Sequence, residues 1–247
     1  VPSLESPPDP ASGPLWLEVT GFPGADGWRA GFTTRRAAGE LSEVLPMLGL
    51  QGLPVFRLSQ LHGAEVVTIG PEDMPRPTLP KGDGLATSRR GVVVAVASAD
   101  CVPIVLFDPL RRAGAVLHAG WRGTRARIVR AGVETLRRGF GSRPENLKAM
   151  MAPSIGPCCY RVGSEVLDEF RVARHSLDGL WRAEGDGGFL DLPGVNRRAL
   201  LESGLDPEHI HPSGLCTHCL PTLFPSYRRD GAGAGRILTF LGSPAAP

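Results

Sequence analysis

The chain has 247 residues, 42% hydrophobic and 21% charged, an ordinary globular composition for one large domain or two small ones. Its 27 basic and 25 acidic residues leave a net charge of +2. The arginines are spread along the chain rather than gathered in a tail, which argues against a general nucleic-acid role. The longest apolar run, Gly91 to Ala99, falls far short of a bilayer span, so no membrane partner is expected. Five cysteines, an odd number with the adjacent pair Cys158-Cys159, do not read as a secreted disulfide framework. The opening VPSLESPPDPASGP has no basic segment followed by an apolar core. It does not read as a signal peptide, and a cytoplasmic location is expected.

Residues 1–14 are expected to form a disordered Pro/Ser-rich tail, 15–242 a single catalytic domain, and 243–247 a second tail. Strands are predicted over Leu15 to Thr20 and Trp28 to Thr34, then a short helix over Glu40 to Leu48. Val55 to Leu61 and Glu65 to Ile69 read as a strand pair that turns at His62-Gly63, where the glycine permits a sharp bend. Pro71 to Pro80 reads as a surface loop. Three closely spaced strands follow: Val92 to Ser98, Val102 to Asp108 and Gly114 to His118. The first carries a β-branched run that fits burial on both faces. A helix is predicted from Thr124, as N-cap, to Arg138. Ile128, Val129, Gly132, Val133 and Leu136 form its apolar face, and Gly139 or Gly141 ends it. Leu147 to Ala152 is a strand, Ser164 to Phe170 and Val195 to Ser203 are helices, and Arg236 to Leu241 is a closing strand. Without a regular βαβ repeat, the pattern predicts an α+β domain, a layered α/β/α sandwich with a mixed sheet.

Three segments carry candidate chemistry. Gln60-Leu61-His62-Gly63, Ala99-Asp100-Cys101-Val102 and Leu117-His118-Ala119-Gly120-Trp121-Arg122-Gly123 each place a donor at a strand edge. Two imidazoles and one thiolate are a three-ligand set for a catalytic zinc, which keeps one position open. On an extended strand Asp100 points opposite to Cys101, so it either fixes the turn or acts as acid or base. Arg122 precedes a helix start and is a candidate for an anionic group such as phosphate, or is bonded to backbone carbonyls instead. Cys158, Cys159, Cys216 and Cys219 lack a second C-x-x-C, so buried free thiols are favoured over a four-cysteine zinc site. The nucleobase deaminase pattern is not matched: Glu65 follows His62 by three positions, and the C-x-x-C at Cys216 follows Leu215 instead of proline.

The segments QLHGAEV, GDGLATSRRGVVVAVASADCVPIVLFD, AGAVLHAGWRGT, APSIGPCCYRVG, LDLPGVNRRALLESG, CTHC and LFPSYRRDG occur in that order. They resemble the laccase-domain (multicopper polyphenol oxidase-like) family over roughly residues 28 to 242. Members of that family are also described as purine nucleoside phosphorylases and as peptidoglycan editing factors. The resemblance implies a cysteine-hydrolase-like fold and makes His62, Cys101 and His118 the metal ligands. Thr34 and Arg35 match the start of the family's TR-x-GG-VS segment, although the stretch after them is shortened here. Arg228 lies in the SYRR segment, and Asn196 in LDLPGVNRR. Arg35, Arg122, Asn196 and Arg228 are therefore the substrate- and phosphate-binding candidates.

The resemblance implies a zinc-dependent enzyme acting on purine nucleosides. Its reactions would be phosphorolysis of adenosine, inosine, guanosine and methylthioadenosine, and deamination of adenosine. His62, Cys101, His118 and Asp100 would be the catalytic set, with nucleoside and phosphate as partners and a monomer or homodimer as the assembly. Zinc is favoured over copper because six histidines are too few for a four-copper laccase. The alternatives are a cysteine or metal amidohydrolase that edits peptidoglycan precursors, with Cys101 as nucleophile and His118 as base, a copper-dependent polyphenol oxidase, and a non-enzymatic binding protein.

Overall fold

The computed structural model describes residues 14–17, 27–37 and 39–245. Residues 1–13 and 246–247 of the expected tails, and 18–20 of the expected first strand, lie outside the described residues. The strands are β1 (Trp16–Leu17), β2 (Arg29–Thr33), β3 (Val55–Phe56), β4 (Val66–Thr68), β5 (Gly84–Thr87), β6 (Val92–Ser98) and β7 (Val102–Asp108). They continue with β8 (Ala113–Ala119), β9 (Lys148–Met151), β10 (Arg161–Gly163), β11 (Trp181–Glu184), β12 (Gly187–Leu190), β13 (Ile210–Pro212) and β14 (Ile237–Ser243). The α-helices are α1 (Val44–Met47), α2 (Trp121–Arg125), α3 (Ile128–Phe140), α4 (Ser164–Val172), α5 (Leu192–Glu202) and α6 (Tyr227–Asp230).

Two mixed sheets stack face to face. One runs β1-β2-β14-β6-β3 and the other β13-β9-β7-β8-β5-β4, while β10-β12-β11 form a small third sheet. Strand alternation explains the stacking. In β7, Val105 and Phe107 join Val92, Val94 and Val96 of β6 between the sheets. Ile104 and Leu106 point the other way, onto α3, α4 and α5. Val93 and Ala95 of β6 face the outer side, against Leu41, Val44 and Leu50 around α1. The α+β reading therefore holds, but the layering is helices, sheet, sheet and one short helix. The expected single central sheet is divided because the chain changes sheets between β6 and β7, at Ala99 to Cys101.

The expected hairpin at His62-Gly63 differs for the same reason. β3 pairs parallel with β6 in the first sheet, and β4 pairs parallel with β5 in the second. The segment between them is a second crossing, not a tight turn between partners. The helix predicted from Thr124 is two helices, broken at Arg127, whose φ is +66°. Thr124 lies inside α2 and is not a cap. The C-cap is Gly141, at φ +69°. α1 is shorter than expected because Pro46 has no N–H and fits only the first turn. α5 starts earlier than expected because Asp191 accepts from Gly194 N at 2.8 Å and Pro193 suits the first turn. Among the described residues, no helix is long and apolar enough to cross a membrane.

The two sheets approach closely where β8 carries Gly114. A Cβ there would collide with the Leu241 side chain of β14 and sit 2.7 Å from the Leu106 carbonyl. Gly139 of α3 faces open space. Gly114→Ala is expected to destabilise by about 1–3 kcal/mol through overpacking. Gly139→Ala should stabilise by roughly 0.5–1 kcal/mol by removing helix entropy cost. Denaturant melts of both variants give the check, and a neutral Gly114→Ala would contradict the packing described.

Candidate metal site

Both sheet crossings deliver a donor to one place. His62 sits on the first crossing with φ +61°, and Cys101 follows Asp100 of the second, whose φ is +89°. β8 supplies His118 beside its own C-terminal end. The donor atoms of His62, Cys101 and His118 all lie within 4.8 Å of one another. The two imidazole rings meet edge to face, with centroids 4.9 Å apart. His118 is buried at the base, Cys101 is half-buried, and His62 is exposed at the mouth.

Asp83, just before β5, organises this corner, and sequence reasoning missed it. Its carboxylate accepts N–H bonds from Leu61 at 3.1 Å, His62 at 2.9 Å and Gly63 at 2.7 Å. It also accepts from His118 Nδ1 at 2.9 Å, and its main-chain carbonyl accepts from His118 N at 2.7 Å. A non-glycine residue at positive φ costs of order 1–3 kcal/mol. Three charge-assisted bonds to one carboxylate, each contributing about 1.5–3 kcal/mol, hold His62 there. Burial pushes the Asp83 carboxyl up, but the His118 bond and the Gly63 and His62 N–H groups outweigh it, so it lies below the usual value. With Nδ1 committed to Asp83, His118 turns Nε2 toward Cys101 and His62.

The glycines of the HAGWRG segment are fixed by close approach. A Cβ on Gly120 would lie 2.9 Å from Cys101 Sγ and 3.2 Å from His62 Cδ2. A Cβ on Gly123 would lie 2.7 Å from the Gly63 carbonyl, part of the His62 crossing. Glycine at 120 thus keeps a side chain off Cys101 and His62, and glycine at 123 lets the His62 crossing pack against α2. Burial raises the Cys101 thiol, yet hydrogen bonds and charge from His118 and His62 bring it down to about 6. Burial lowers His118, yet Asp83 and the Cys101 thiolate raise it to about 9. Two nitrogens and a thiolate, with an orienting carboxylate behind one imidazole, are a donor set suited to a transition metal.

The triad floors a cleft of about 580 Å³, also lined by Leu58, Gln60, Ser98, Tyr227 and Arg236. Arg236 and Tyr227 were not among the expected site residues; Tyr227 lies in α6 within the SYRR segment, where only Arg228 was singled out, and Arg236 lies just before β14, outside the motifs. A groove of about 410 Å³ along α3 and α5 shares no lining residue with the triad and has no comparable cluster of donors, so the triad cleft is the candidate site.

The remaining expected site residues are not among those lining the cleft. Asp100 accepts from Thr217 Oγ1 at 2.6 Å and from Arg228 N at 2.7 Å, and is not among the residues lining the cleft. These bonds brace the corner that carries Cys101. Arg35 bonds the Pro221 and Phe224 carbonyls and pairs with Asp230 at 2.7 Å, a structural knot. Arg228 donates to the Arg161 carbonyl and lies over the Tyr160 ring. Asn196 is fully buried, joining α5 to Thr124 of α2. Arg122 lies over its neighbour Trp121, outside the cleft lining, and the five-residue α2 is too short to add an anion site at its N-terminus. The four other cysteines are free, as expected, but they are not buried: Cys158 and Cys219 are exposed, Cys159 and Cys216 are half-buried, and the four lie together.

Asp83→Asn replaces an acceptor of four bonds with an amide that has only one acceptor oxygen. It is expected to weaken metal affinity about ten- to a hundredfold, as loss of an orienting partner does. Competitive chelator titration measures this, and unchanged affinity would show that Asp83 does not orient the ligands.

The family model for multi-copper polyphenol oxidoreductase laccase matches residues 33–243. Purine nucleoside phosphorylase YlmD of Bacillus subtilis is 40% identical over 161 residues, which are 65% of this chain and 58% of that protein. Adenosine deaminase RL5, from an unknown prokaryotic organism, is 42% identical over 159 residues, 64% of this chain and 60% of that protein. The chain therefore spans less than two thirds of the length of these relatives. The crystal structure of YlmD from Geobacillus stearothermophilus superposes with a TM-score of 0.84 at 30% identity, covering 96% of this chain and all of that one. The chain belongs to the multi-copper polyphenol oxidoreductase laccase family.

Proposed function

We propose that this chain is a zinc-dependent enzyme that processes purine nucleosides by phosphorolysis and by deamination of adenosine. The observation that carries the reading is the convergence of His62, Cys101 and His118 at the floor of one cleft. The relatives named purine nucleoside phosphorylase and adenosine deaminase support the substrate class. Adenosine, inosine, guanosine and methylthioadenosine are the candidate substrates. Zinc is favoured over copper chemistry because, among the described residues, no other histidine joins a cluster of three donors, and a multi-copper oxidase needs several such clusters.

When bound, the metal supplies Lewis acidity and a water whose pKa falls to about 7. The chain does the rest. Asp83 holds the His118 Nδ1 proton, so that imidazole presents Nε2 to the site. Cys101 and His62 complete the donor face, and Gly120 leaves it accessible. Tyr227, largely exposed at the rim, offers an aromatic face for a purine. Arg236, whose Nη1 donates to the Ala234 and Gly235 carbonyls at 2.7 and 3.0 Å, is the arginine of the cleft lining, and its remaining N–H groups are suited to neutralise phosphate beside the sugar.

One observation favours a second reading. Asp83, His118 and Cys101 stand in the order carboxylate, imidazole and thiol, which is also the order of a cysteine hydrolase. An amide-cleaving activity on peptidoglycan precursors would use Cys101 as nucleophile. Cys101→Ser separates the two. A ligand role predicts that metal content at the site and nucleoside turnover fall together. Activity that survives chelation, with a substrate adduct trapped on Cys101, would overturn the metal reading.

Arg236→Ala is expected to reduce phosphorolysis about ten- to a hundredfold, the loss of a charge-assisted contact of about 1.5–3 kcal/mol. Adenosine deamination needs no phosphate and should fall less. Arg122→Ala, outside the cleft lining, should affect phosphorolysis less than Arg236→Ala. Equal loss of both reactions in Arg236→Ala would assign that arginine to general substrate binding instead.

A further inference from the structure

A second group of donors lies outside the cleft. The sulfurs of Cys158, Cys159, Cys216 and Cys219 all lie within 4.8 Å of one another. Cys219 Sγ is 3.6 Å from Cys158 Sγ and 3.3 Å from Cys159 Sγ, and none of the four is in a disulfide. A zinc–sulfur distance of about 2.3 Å gives a tetrahedron with edges of roughly 3.8 Å, so the observed spacing is close to that of a closed four-thiolate site. On an extended strand, neighbouring side chains point apart. Here Cys158 and Cys159 sit on a turn closed by Cys159 N and Tyr160 N on the Gly156 carbonyl, both at 3.0 Å. Gly156 N donates to Cys216 Sγ at 3.3 Å, a main-chain bond aimed at the sulfur. A Cβ on Gly156 would meet Cys158 Sγ at 3.3 Å, so glycine leaves room for the sulfurs to close.

The two cysteine segments are built to be joined. Ser154 and Cys216 form a parallel bridge, with Ser154 N on the Leu215 carbonyl and Thr217 N on the Ser154 carbonyl. Each segment also braces the corner that carries Cys101. Ile155 N donates to the Asp100 carbonyl at 3.0 Å, and Thr217 Oγ1 donates to the Asp100 carboxylate at 2.6 Å. We propose that these four cysteines bind a structural zinc ion that clips the two segments together and so supports the Asp100–Cys101 corner from behind. Each coordinating thiol releases its proton to solvent on binding, and no oxidant or reductant is involved. Four protein ligands leave no open position, so this ion is not catalytic.

The test is the metal content of the full chain in three forms. His62→Ala/His118→Ala removes the cleft ligands and is expected to keep one equivalent of zinc. Adding Cys158→Ser/Cys219→Ser should remove it. Cys158→Ser/Cys219→Ser alone should lose one equivalent relative to the unaltered chain and lower its melting temperature. If the serine variants do not fold, cobalt(II) added to the metal-stripped His62→Ala/His118→Ala protein gives a second readout. It should develop thiolate-to-cobalt charge-transfer absorption and slow the reaction of four thiols with a thiol reagent. A His62→Ala/His118→Ala protein that holds no zinc, takes up no cobalt and leaves all its thiols reactive, or that forms a disulfide among the four cysteines, would overturn the proposal. The outcome does not depend on the cleft's reaction.

Discussion

The site depends on one buried carboxylate. Asp83 is 1% exposed and accepts four N–H bonds, three from the crossing that carries His62 and one from the His118 ring. A buried charge with so many donors is stable only where the donors converge. Asp83 therefore fixes a strained turn and an imidazole tautomer at once. Remove the carboxylate, and the positive φ of His62 has no compensation while His118 loses its fixed orientation.

The stacking of two sheets explains why the donors meet at all. The chain passes from the first sheet to the second twice, between β3 and β4 and between β6 and β7. Both crossings lie at the same end of the stack, where β8 also ends, so three sequence-distant donors share one corner. The apolar β6 and β7 runs make the corner rigid, since both faces of each strand are packed. The close approaches at Gly120 and Gly123 follow from that crowding. Behind the corner, Asp100 ties the second crossing to the Thr217 and Arg228 segments.

Much of this was legible in the sequence. The β6 run is uniformly apolar because it is buried on both faces, and the donors stood out because they sat at strand edges. The α3 stripe gave the buried face of that helix correctly. The sheet division was not legible: strands of two or three residues, such as β3 and β4, carry too little pattern to choose a partner. Asp83 was hidden because an aspartate between glycines reads as a turn residue, and only the fold shows four donors converging on it. Arg236 gave no motif, because its position at the cleft depends on where β14 inserts. Arg35 and Asn196 carried family motifs, yet their polar atoms are engaged by backbone and neighbouring side chains. The four-cysteine cluster was discounted because the sequence has no second C-x-x-C, and only the fold brings Cys158 and Cys159 beside Cys216 and Cys219.

The central claim is that His62, Cys101 and His118 hold one metal ion in a catalytically competent protein. An anomalous-difference map recorded across the zinc edge, from crystals of protein with proven nucleoside turnover, tests it most directly. The account predicts a zinc peak bounded by the two imidazoles and the Cys101 sulfur. Fully active protein with no anomalous density between those three side chains would contradict it.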